Sequence, residues 1–268
     1  MFFQDLLQFP FLQRAVMASV LIAPMLASLG VFVTLRGMAL FGEGIAHASL
    51  AGIAIAVLAG MAPLPIAIAW AIFVALALFW FERKTRLSSD TLIGIAFTAS
   101  MALGVVLMSL TKGYQPELLT YLFGNILAIS ITDVYAIAGL FLVMGFWLWR
   151  VFRPLTLLSL SEETAAVSGI RTQWHTLALY VMLAITTVLG VKILGIILIS
   201  ALLIIPPATS RLLTGSFKSY FYAAVVLSEF AVIIGLFLSY QFNLPSGASI
   251  VLVSTALFFL GLIFKRKV

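Results

Sequence analysis

The chain has 268 residues, 63% of them apolar and 9% charged, against roughly 45–50% apolar and about 25% charged in soluble domains, and its mean hydropathy is +1.22. These figures exclude a water-soluble globule and leave a polytopic membrane protein. The fifteen Lys and Arg residues behind the +6 net charge are scattered through apolar sequence, which excludes the basic stripe needed for nucleic acid; the lack of cysteine excludes disulfides, thiolate ligands and thiol nucleophiles.

Residues 1–10 carry Asp5 and no basic segment, so no cleavable signal is expected. A window of about 19 residues then finds apolar runs near 11–35, 39–60, 64–81, 90–110, 131–149, 174–191, 194–213, 219–241 and 247–264. A spanning helix takes about 20 mostly apolar residues, so these runs predict an all-α fold of nine transmembrane helices, with eight as the alternative count. Pro206 and Pro207 interrupt the run at 194–213. Proline in a membrane helix needs neighbours or water to satisfy the backbone groups it frees, so a short or broken helix packed inside the bundle is expected there. Little chain remains between runs, and 1–268 reads as a single transmembrane domain without a soluble catalytic or nucleotide-binding part.

Basic residues orient the spans, because cytoplasmic loops hold the excess of Lys and Arg. Under nine spans, twelve of the fifteen fall on one side: Arg36, Arg83, Lys84, Arg86, Arg150, Arg153, Arg171, Arg211, Lys218 and the tail Lys265, Arg266 and Lys267. Arg14, Lys112 and Lys192 fall on the other. The C-terminus is accordingly placed in the cytoplasm and the N-terminus outside; eight spans would bring the N-terminus inside. Two connections are long enough to hold structure. The outer one, 111–130, predicts a short helix from Pro116 to Asn125, since proline is favoured at the first helical position. The inner one, 150–173, contains a segment at 159–169 with a cap-like Ser159, Glu162 and Glu163 in its first turn and Gly169 at its end, which predicts a helix too short to cross the membrane near 160–169.

Ionisable groups inside spans are costly and are candidates for function. Three stand out: Glu43, His47 and Glu229. Glu43 and His47 are four residues apart and share a helix face. A carboxylate and an imidazole on one face make half of a tetrahedral zinc-type site, or part of a larger manganese or iron site. Two copies facing each other across a two-fold axis would supply four ligands. Gly42, Gly44, Ala46 and Ala48 surround the pair and would allow close helix approach. The competing reading is a hydrogen-bonded pair that only fixes packing, or a glutamate that reaches water at the helix end. Glu229, near the middle of 219–241, is a candidate pathway residue or a carboxyl bonded to a neighbouring helix. His175, beside Trp174, reads as interfacial, and Asp90 after Ser88 and Ser89 reads as part of a helix start. The chain has no G-x-x-x-x-G-K-[ST] phosphate loop, no H-E-x-x-H and no G-x-S-x-G. It is therefore expected neither to hydrolyse ATP itself nor to act as an intramembrane enzyme.

Five segments occur in a telling order: Arg36 to Gly52, with its basic residue, acidic residue and His-Ala pair; Asp90-Thr-Leu-Ile-Gly94; Tyr121-Leu-Phe-Gly124; Leu194 to Pro206; and Leu244-Pro-Ser-Gly-Ala-Ser-Ile250. Together they resemble the permease subunits of bacterial metal-import ABC transporters, and within them the zinc permeases of the ZnuB type. The resemblance implies a homodimer in the inner membrane, an ATPase subunit on each copy, and a periplasmic or extracellular metal-binding protein that delivers the ion. It also implies that Glu43 and His47 line the metal path transiently. The segment with Glu162, Glu163, Ala165, Ala166 and Gly169 is similar to the family's coupling element, which docks on the ATPase. The cargo implied is Zn²⁺, with Mn²⁺ or Fe²⁺ as alternatives, and no cofactor is expected on this chain.

The sequence also departs from the family. Glu43 stands where the family usually has Asp, Asn125 replaces an Asp common in zinc permeases, and Pro206-Pro207 replaces a Pro-Ala pair. No family role attaches to Glu229. The reading from another class is an ion-coupled secondary transporter working alone, which would call for more carboxylates within the spans and no docking helix.

Overall fold

The computed structural model describes residues 5, 8–85, 87–110 and 129–264. Among them nine helices are long and apolar enough to cross a membrane. They are α1 (Pro10–Leu35), α2 (Phe41–Leu58), α3 (Pro63–Lys84), α4 (Ser89–Ser109), α5 (Ile131–Leu160), α7 (Thr172–Leu194), α8 (Ile196–Leu213), α9 (Phe217–Phe242) and α10 (Ser246–Ile263), and one short helix, α6 (Glu162–Val167), joins α5 to α7. The nine-span count holds over eight. The expected helix at 116–125, the motif at 121–124, and Arg86, Lys112 and residues 265–267 lie outside the described residues.

Helix starts follow local chemistry. Pro10 and Pro63 open α1 and α3, where a missing N–H costs nothing. Ser88, Ser130, Ser161 and Ser216 each accept a hydrogen bond from the backbone N–H three residues on, satisfying donors that a helix start leaves orphaned.

One expectation needs correction. The run ending near 149 continues as helix to Leu160, because Leu155 and Leu158 are buried and hold the last turns against the bundle in spite of Pro154. Ser159 therefore belongs to α5, and Ser161 is the cap of α6. Of the short or broken helix expected at Pro206 and Pro207, the structure has the short one. They sit inside an unbroken, if short, α8 of 18 residues, both buried. Pro207 cannot donate to the carbonyl of Leu203, and that freed oxygen faces α1 at Gly30, where an added Cβ would lie 2.0 Å from it. The glycine lets the backbones approach closely enough for a Cα–H to meet the carbonyl.

The helices sort into an inner and an outer set. Most of α1, α2, α7 and α8 is buried (56–72% of the spanning window), whereas α3, α4, α5, α9 and α10 are 22–39% buried. On one flank α3 and α4 pack on α2, with α3 also against α7; on the other, α9 and α10 pack on α8, with α9 against α1; α5 leans on α1 and α7. Contacts between distant residues tie each end of the bundle. At the end rich in Lys and Arg, Arg36 donates to Thr176 at 3.0 Å and Thr34 bonds Tyr220. At the opposite end Arg14 donates to the Ile129 carbonyl, Lys192 pairs with Asp133, and Tyr240 donates to Asp5. The alternation of chain direction that hydropathy implied is thus realised in contacts. The α7–α8 turn is made at Gly195, whose φ of +79° is open to glycine at little cost.

Candidate functional site

The small residues around the Glu43–His47 pair decide which way it points. A Cβ at Gly42 would come within 2.7 Å of Leu203, one at Gly44 within 2.5 Å of Ile93, and one at Gly52 within 2.8 Å of Ala67. These glycines bring α8, α4 and α3 tight against α2, so its other face is turned outward. That open face carries Leu40, Glu43 and His47, with Glu43 exposed and His47 half-buried. The small residues do permit close approach, but within the chain, and they leave Glu43 exposed and His47 half-buried.

His47 is oriented from two sides. Its Nδ1 lies 3.0 Å from the Glu43 backbone carbonyl, and its ring meets Phe97 of α4 edge-on, with centroids 4.9 Å apart and planes at 87°. A carbonyl oxygen only accepts, so Nδ1 carries the proton, and in the neutral ring the Nε2 lone pair is left for a ligand. Metal-binding histidines commonly have their other ring N–H anchored in this way. Among the described residues no three His, Asp or Glu side chains gather in one place, so one copy offers Glu43 and His47 alone. Glu229 sits half-buried on α9, which packs on α1, α8 and α10, and forms no ion pair with a described residue. His175 is half-buried in the first turn of α7, and Asp90 lies in the first turn of α4 behind its cap Ser88.

A polar cluster beneath α2 escaped the sequence reading. Glu82, in the last turn of α3, accepts from Ser89 Oγ and from Tyr180 Oη, each at 2.5 Å, so one carboxylate ties α3 to α4 and α7. The Tyr180 hydroxyl also lies 3.4 Å from Met38 Sδ in the α1–α2 turn, and its ring is 4.9 Å from that of Phe41, the first residue of α2. This wedge fixes the turn that bears Glu43. Its one sequence signal was an acid at a helix C-terminus, where the macrodipole disfavours it, and the neighbouring Arg83 and Lys84 concealed it.

The short helix α6 is anchored by one residue and exposed by the rest. Ala165 is fully buried in the core, its carbonyl accepts from the N–H of Ile170 at 3.1 Å, and Gly169 makes the return turn at φ +77°. Glu162, Glu163, Ala166 and Gly169 are exposed. Val167 is 91% exposed, the most exposed large apolar side chain among the described residues, and the sequence reading passed over it.

Comparison with known proteins bears on this geometry. Residues 8–265 match the model of a family described as the ABC 3 transport family. The manganese transport system membrane protein MntC of Halalkalibacterium halodurans is 36% identical, with 99% of this chain and 91% of that protein covered. The high-affinity zinc uptake system membrane protein ZnuB of Haemophilus influenzae is 35% identical, with 97% of each covered. Among solved structures, PsaBC from Streptococcus pneumoniae in complex with Fab superposes with a TM-score of 0.87 at 32% identity, covering 99% of this chain and 96% of that one.

Proposed function

The chain belongs to the ABC 3 transport family, and from that membership we propose that it is the membrane-spanning permease of an ATP-driven importer of a divalent metal ion. Two copies bring their α2 faces together, and the ion passes over Glu43 and His47 of each. The observation that carries this reading is the anchored imidazole, half-buried, with Nδ1 held by the Glu43 carbonyl and Nε2 without a hydrogen-bond partner among the described residues, next to the exposed Glu43. Two carboxylates and two imidazoles complete a four-ligand shell. A shell assembled from two movable copies holds its ion less tightly than a structural site, as release to the far side requires.

Zn²⁺ is the first reading for the cargo, because imidazole suits it and a zinc uptake protein is among the relatives. Mn²⁺ is the second, favoured by a manganese relative at nearly the same identity. The end rich in Lys and Arg faces the cytoplasm by the positive-inside rule, which puts α6 there. Ala166, Val167, Glu162 and Glu163 dock on a separate ATPase chain that supplies the energy, and a metal-binding protein delivers the ion at the opposite end. The chain is a transport subunit of the inner membrane and holds no resident cofactor.

The test is uptake of radioactive zinc and manganese by cells expressing the full transporter. Glu43→Ala with His47→Ala is expected to abolish uptake with the protein still in the membrane, and the preferred ion in the unaltered protein assigns the cargo. Near-normal uptake by the double variant would sink the pathway. Docking is tested by Val167→Asp, since a bulky residue at Ala165 would strike the protein's own core: transport is expected to fall while the ATPase still hydrolyses ATP, and unchanged coupling would make α6 a mere connector. Metal uptake by the purified chain without ATPase would overturn the proposal in favour of a secondary transporter.

A further inference from the structure

A cleft of about 710 Å³ opens between α1, α5 and α9, on helices that contribute nothing to the Glu43–His47 face. Its walls are apolar, with Met25, Phe141, Met144 and Phe221 running along its depth, and its end carries Trp149 and Lys218. The rim faces outward: Trp149 is 73% exposed and Tyr222 66%. Helices α5 and α9 belong to the outer set of the bundle, so the cleft opens toward lipid. Ordered water needs two to four polar partners, which the Met25, Phe141, Met144 and Phe221 wall does not supply. Its apolar depth suits hydrocarbon.

The charge at its mouth says which hydrocarbon. Lys218 is exposed and forms no ion pair with a described residue. The Arg150 guanidinium stacks 5.2 Å from the Phe146 ring and 5.6 Å from the Trp149 ring, so a second cation stands beside the same wall. Aromatic side chains at headgroup level and basic pockets between spans are the features that hold anionic lipid headgroups. We propose that this cleft binds an anionic glycerophospholipid of the leaflet on the basic side, one acyl chain lying along the Met25, Phe141, Met144 and Phe221 wall and the phosphate on Lys218.

The purified transporter in mild detergent, incubated with dioleoyl-phosphatidylglycerol or dioleoyl-phosphatidylcholine and read by native mass spectrometry, tests this. The phosphatidylglycerol adduct is expected to persist on the order of fivefold better, as one lysine–headgroup contact gives. Lys218→Glu should erase that preference. Gly145→Phe should remove both adducts, because Gly145 lines the cleft and a Cβ there meets no atom within 4 Å, so the ring enters open space. Equal retention of both lipids by the unaltered protein, or undiminished phosphatidylglycerol retention in Lys218→Glu, would overturn the proposal; the latter variant is at an exposed position and decides the matter even where Gly145→Phe fails to fold. Disulfide cross-linking between copies through Gly145→Cys would also overturn it, by making the cleft an interface.

Discussion

Replacing Tyr180 with Phe removes a single hydroxyl from the wedge under α2, and its cost follows from the geometry. The hydroxyl donates to Glu82 at 2.5 Å from a residue only 2% exposed, and hydrogen bonds to charged groups contribute about 1.5–3 kcal/mol net. The ring contacts with Phe41 at 4.9 Å and Phe79 at 6.2 Å survive the change, so packing adds little. Glu82 keeps the bond from Ser89, which avoids the larger penalty of an orphaned carboxylate. A loss of about 1.5–3 kcal/mol lowers the melting temperature by about 3–12 °C, taking about 2–4 °C per kcal/mol for chains of 150–250 residues. The assay is thermal unfolding in detergent, followed by circular dichroism. A cycle with Glu82→Gln should show coupling above about 0.5 kcal/mol, since the groups share one bond. A melt within about 1 °C of the unaltered protein, or strict additivity in the cycle, would refute the wedge as a stabilising element and with it the account of how the start of α2 is held.

Two further predictions concern the scaffold. Gly30→Ala places a methyl 2.0 Å from the Leu203 carbonyl and must push α1 away from α8; overpacking of this kind costs about 1–3 kcal/mol, read as a lowered midpoint in denaturant. At the opposite end, Lys192→Met should cost less than about 1 kcal/mol despite the short Asp133 contact, because Lys192 is one-third exposed. Ser130→Ala, which breaks the reciprocal cap with Asp133, should cost about 0.5–2 kcal/mol; no measurable loss in the same unfolding assay would refute it.

Much of the fold was legible in the sequence for a physical reason. In a bilayer a segment's fate depends on its own length and hydropathy, a local property, so nine runs of apolar residues became nine helices with ends shifted by a few residues, except for α5. The helix start at Ser88 is equally local. The sequence also narrowed the site search: with so few charges, Glu43 and His47 four residues apart were conspicuous, and the family motifs around them ran from residue 36 to residue 250.

What only the tertiary structure decided depends on neighbours far away in the chain. That α8 stays unbroken at Pro207 is helped by Gly30, more than 170 residues earlier, which makes room for the Leu203 carbonyl that Pro207 frees. The extension of α5 through Pro154 rests on the burial of Leu155 and Leu158. Glu82 looked like one more charge at a basic helix end until Tyr180 and Ser89 were brought to it, and Ala165 and Val167, two apolar residues in one short helix, point opposite ways because only one meets the core. Hydropathy counts how much apolar surface a segment carries; which side chain faces lipid, protein or a partner is set by the helices packed against it.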